Sequence, residues 1–93
     1  MPYLIVESSY EPPVDDQMLA SGLSALRPCL QVRGIRRLRS WLSEDRRRGL
    51  CEYEAADTQS LREAYAEADI RCQCVWVGSL FEFNVPDVTP LVE

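Results

Sequence analysis

The chain contains no histidine and no lysine. The missing imidazole removes the usual general base near neutral pH and the commonest metal ligand. With lysine absent, every basic residue is an arginine, a pattern read here as codon bias rather than design. No uninterrupted apolar run approaches the ~20 residues that span a bilayer, which argues against a membrane partner. The opening "MPYLIVESSY" has neither the charged start nor the small-residue cleavage site of a secretory signal. It reads as a first strand, and a cytoplasmic location is expected. Positive charge is also short, with ten arginines against fifteen acids and a net charge of −5. An acidic total argues against a general nucleic-acid binder. The balance is uneven, because Arg33 to Arg48 holds seven arginines and two acids.

What is present is ordinary globular composition, 46% hydrophobic and 27% charged, in a length that suits one domain. The domain is expected over residues 1–84, with 85–93 as a tail that either crosses a neighbour or hangs loose. "YLIVES" reads as a strand. "VDDQMLASGLSALRPCL" places Leu19, Leu23, Leu26 and Leu30 at helical spacing behind Asp15, a good N-cap, and Pro28 should kink or end that helix. "IRRLRSWLS" and "RGLCEYEA" flank a hairpin turn. Asp57 or Thr58 caps "TQSLREAYAEAD", and "CQCVWVGSLFEF" supplies a last strand. The order β-α-β-β-α-β gives a ferredoxin-like α+β fold, a four-stranded antiparallel sheet with both helices on one face.

The other face is then bare. A two-residue turn at Asp45-Arg46 opposes Trp41 to Leu50, Arg39 to Glu52 and Arg37 to Glu54, which satisfies charge and hydrophobicity together. Alternation adds Tyr3, Ile5, Glu7, Cys72, Cys74 and Trp76 to the same face and sends Val75, Val77 and Cys51 to the core. Two indoles, a phenol and two aliphatics are too apolar for solvent on a domain this small. A second copy, a ligand, or both should cover them. The expected ligand-binding residues are Glu7, Arg39, Trp41, Glu52, Cys74 and Trp76.

The bland readings stand beside the functional ones. The Arg-Glu ladder serves as cross-strand pairing, with or without a ligand. C-x-C alone is a weak metal signal, and Cys72 and Cys74 sit too far apart along a strand for an unstrained disulfide. Reduced cysteines are expected, with a metal site shared between two copies through Cys72 and Cys74, or a reactive Cys74, as the alternatives. "RRR" at 46–48 is either a solvated turn or a docking loop. An RNA-recognition reading fails because "GLCEYEA" puts glutamates where that module keeps aromatics.

"GIRRLRSWLSED" followed by "LCEYEAADTQSLREAYAEADI" resembles a family of small bacterial proteins of largely unknown function, some described as nickel-binding. Their pattern is roughly a "VER" strand, then "RSYVSEDGKKTYCVYEAPSPEAIREAA". Glu7 stands at the family's early glutamate. Arg39, Ser40, Ser43, Glu44 and Asp45 match its hairpin, and Cys51, Tyr53, Glu54 and Ala55 its third strand. Arg62, Glu63 and Ala64 match its second helix. The likeness runs to about residue 77. It implies sheet-to-sheet pairing similar to dimeric α+β barrels, with nickel or another divalent metal as a candidate cofactor. Three features depart from the pattern: Arg46 replaces a glycine, Trp41 replaces a tyrosine, and histidines found in other members are missing. The expectation is a homodimeric or larger binding or sensing protein for a metal ion or small ligand. The alternatives are a cofactor-independent enzyme of the barrel type and a purely structural oligomerisation domain.

Overall fold

The computed structural model describes residues 2–81, so the expected tail at 85–93 lies outside the described residues. Strands β1 (Tyr3–Ser9), β2 (Arg36–Leu42), β3 (Arg48–Glu54) and β4 (Cys74–Gly78) form one antiparallel sheet in the order β2-β3-β1-β4. Helices α1 (Asp16–Gln31) and α2 (Thr58–Glu67) follow β1 and β3. This is the expected βαββαβ fold.

Local chemistry sets the element ends. Asp15 accepts a hydrogen bond from the Met18 amide at 2.7 Å, and Asp57 accepts one from Ser60 at 2.7 Å, so each helix starts on a carboxylate cap. Hydrogen bonding from Ser60 holds the Asp57 carboxyl below its usual range. Pro28 does not end α1, which continues to Gln31. Leu26, Cys29 and Leu30 bury the last turns in the core, and that burial carries the helix past the missing amide. Gly34, at φ 66°, takes the left-handed conformation that turns the chain into β2.

At the hairpin tip two of the three arginines find partners within the chain. Ser43 and Arg48 close the turn, and Arg46 adopts φ 63°, a conformation easier for the glycine of the resembling family. Tyr10 and Val14 donate their amides to the carbonyls of Arg47 and Arg46. Arg46 then pairs with Asp16 and Arg47 with Glu11. The tip docks on the chain's own β1–α1 connection.

The core lies between the sheet and the helices. Leu4, Val6, Tyr53 and Ala55 meet Leu26 and Leu30 of α1 and Leu61, Ala64 and Tyr65 of α2. Val75 packs against this cluster as expected. Val77 does not, and stays 60% exposed on edge strand β4.

Candidate functional site

The bare face is built by alternation along all four strands. One row across the sheet reads Arg39, Glu52, Ile5, Trp76; the next reads Trp41, Leu50, Glu7, Cys74. All six expected ligand-binding residues therefore share this face. The Trp41 indole donates to Glu52 at 3.1 Å, and Arg39 donates to the other oxygen of the same carboxylate at 3.0 Å. Across the sheet the Trp76 indole donates to Glu7 at 2.7 Å. Both carboxylates thus have donors before any ligand arrives. Trp41 and Trp76 nevertheless remain 63% and 44% exposed. A shallow depression of about 270 Å³ lies beside Glu7, Trp41, Leu50 and Arg48.

The bare face departs from the expected arrangement in two places. Cys72 precedes β4 rather than lying on it, and its side chain packs against the core, where burial pushes the thiol pKa up. The ladder stops short of it because the Gln73 side chain bonds both the amide and the carbonyl of Ser9. The metal site that paired Cys72 with Cys74 loses its geometry on that account. All four cysteines are free, and Cys51 faces the helix side as expected, within 3.1 Å of the Ser40 hydroxyl.

The second departure is in β2. Register follows expectation from Arg39 to Leu42, but Leu38 is an extra residue without a partner, a β-bulge. Beyond it every side chain changes face. Arg36, not Arg37, pairs with Glu54 at 3.0 Å. Arg37 turns to the helix-covered side opposite Tyr53, and Ile35 turns into the core. A sequence signal existed: Ile35 shares parity with Arg39 and Trp41 on the bare face, yet it is a large aliphatic that needs burial. A phase change between them reconciles the two demands.

The turned Arg37 joins residues that the bare-face reading missed. Its Cζ stands 5.7 Å from the Tyr53 ring centroid, a cation–π arrangement, and its Nη2 lies 3.5 Å from the Tyr53 hydroxyl. The Tyr53 and Tyr65 hydroxyls are 2.7 Å apart, with their rings edge to face. Burial raises the pKa of both phenols. Tyr53 and Tyr65 occupy inward positions of β3 and α2, and a buried phenol needs a partner, which was the available hint.

Neither a family model nor a curated protein matches the chain. Among solved structures it is similar to the crystal structure of SCO4226 from Streptomyces coelicolor A3(2), at a TM-score of 0.76 and 9% identity. The match covers 86% of this chain and 99% of that one. The two share a fold. At that identity the likeness extends to architecture alone.

Proposed function

We propose that the protein is a small non-catalytic binding module that works as two copies joined through their bare sheet faces. Glu7, Arg39, Trp41, Glu52, Cys74 and Trp76 then line a ligand chamber between the copies. The observation that carries this reading is the exposure of Trp41 and Trp76 on one sheet face whose carboxylates already hold indole and guanidinium donors. Exposed indoles are characteristic of surfaces that a partner covers. Burying Glu52 and Glu7 beneath a partner would ordinarily be costly, and the donors already in place limit that cost.

The resemblance to proteins described as nickel-binding raises a metal ion as the ligand. Among the described residues no three acids or cysteines of one copy converge on a metal position. A metal would therefore draw ligands from both copies, with Glu7 and Cys74, register partners on β1 and β4, the best placed.

Sedimentation equilibrium on untagged protein tests the pairing, with the expected mass twice the 10.6 kDa of one chain. Trp76→Glu, which replaces an exposed indole of the proposed interface by a charge, should restore the single-chain mass. A wild-type mass of one chain at high protein concentration, with both indoles open to acrylamide quenching, refutes the proposal. Nickel or zinc at stoichiometric level in the paired form assigns the ligand as a metal.

A further inference from the structure

A cleft of about 500 Å³ lies between α1 and the β2–β3 half of the sheet, on the helix-covered side, with Trp41 at its rim. Leu19, Leu23 and Leu26 of α1 line it with aliphatic side chains, and Arg37 stands at a polar end beside Tyr53, Tyr65 and Ser40. The volume falls within the ~300–1,000 Å³ of small-molecule pockets.

That polar end is rich in donors. The Arg37 Nε is shut away from solvent and has no hydrogen-bond partner. Among the described residues no carboxylate forms an ion pair with Arg37. The Tyr53 and Tyr65 hydroxyls share one hydrogen bond and are closed to solvent, so the phenols pack beside the guanidinium without reaching the cleft. Burial keeps both phenols protonated through the physiological range. The other charges on the lining, Asp69 and Arg71, are exposed and opposite in sign.

We propose that this cleft binds a small molecule with an apolar body and a single carboxylate, seated on the Arg37 guanidinium. Charge selects the headgroup. One arginine balances one negative charge, whereas a phosphomonoester carries close to two, and apolar walls penalise the excess. A neutral alcohol leaves the guanidinium without a counter-ion. Geometry agrees, because a planar carboxylate can meet a guanidinium through two parallel N–H···O bonds, here from its pair of Nη groups. On the α1 wall, Gly22 leaves room for the apolar body. A Cβ built there meets nothing nearer than Ile70 Cδ1 at 3.9 Å, although a helix interior favours alanine. The site does not depend on pairing of the bare faces, which lie across the sheet, so either proposal can fail alone.

Titration calorimetry of the full chain with octanoate, 2-naphthoate, octanol and octyl phosphate tests the assignment. At least one carboxylate should bind once per chain, roughly tenfold or more tighter than octanol or octyl phosphate. Octanoate alone points to aliphatic acids, naphthoate alone to aromatic ones, and both support the class. Arg37→Gln should weaken carboxylate binding roughly tenfold while leaving octanol within about twofold. If circular dichroism shows that variant unfolded, Arg37→Lys replaces it, and its loss of the fork should still weaken the carboxylate. Gly22→Leu, which fills the cleft from α1, should abolish binding. Three results overturn the proposal: no carboxylate bound at millimolar concentration, octanol binding as tightly as octanoate, or unchanged affinity in Gly22→Leu. The last would place the probe on the exposed indoles instead.

Discussion

Replacing Tyr65 by phenylalanine removes one oxygen from the centre of the core and leaves every ring in place. Tyr53 is fully buried and Tyr65 nearly so, and their hydroxyls are 2.7 Å apart. The lost hydrogen bond is worth ~1 kcal/mol net. The Tyr53 hydroxyl is then left with only the Arg37 contact at 3.5 Å, longer than an effective hydrogen bond, and an orphaned buried hydroxyl adds ~1–3 kcal/mol. Tyr65→Phe should therefore cost ~2–4 kcal/mol, a drop of roughly 10 °C or more in Tm for a domain this small. Tyr53→Phe should cost a similar amount, because it orphans Tyr65. The double variant removes both oxygens together and leaves no orphan, so it should cost less than either single change. The edge-to-face packing, with centroids 6.2 Å apart, survives in all three variants and does not confound the comparison. Urea denaturation followed by circular dichroism, at one fixed protein concentration because the proposed pairing would add to stability, measures the cycle. Additive costs, with the double variant losing the sum of the singles, would refute the account of a shared buried hydrogen bond.

Alkaline pH should weaken the fold through the same residues. Desolvation raises Tyr53 and Tyr65 above their ordinary 10.0 and Cys72 above its ordinary 9.0, so the fold holds these protons more tightly than the unfolded chain does. Their contribution is whole below about pH 9 and is lost as pH rises through the folded-state values. Stability measured across that range should fall, and less steeply in the Tyr53→Phe/Tyr65→Phe variant; a flat wild-type profile refutes the assignment. Gly22→Ala should stabilise the chain by up to ~1 kcal/mol in thermal denaturation, because the new methyl enters ordinary contact range. A loss of stability there would mean that the α1 wall is closed.

Much of the fold was legible because short-range chemistry repeats along the chain. Asp15 and Asp57 mark helix starts through their own backbone hydrogen bonds. The period-two pattern assigns Glu7, Trp41, Glu52 and Trp76 to one face, since a strand offers only two. The register of Arg39 with Glu52 followed from needing charge and hydrophobic partners at once. Other features misled. Pro28 signals a helix end, but burial around it outweighs one lost hydrogen bond. Cys72 looked like strand, yet a glutamine side chain in the neighbouring position takes over the backbone of Ser9.

By itself the sequence determined the order of elements, their caps and the two-sided character of the sheet. These depend on residues close along the chain and on the alternation of each strand. Only the tertiary structure decided that Leu38 bulges, that Arg37 therefore crosses to the helix side beside two phenols, and that α1 leaves a cleft above them. A single extra residue reverses the facing of everything before it, and whether the chain accepts one is settled by packing. Here that packing is the burial of Ile35, weighed against pairing of Arg39 and Trp41 several residues away.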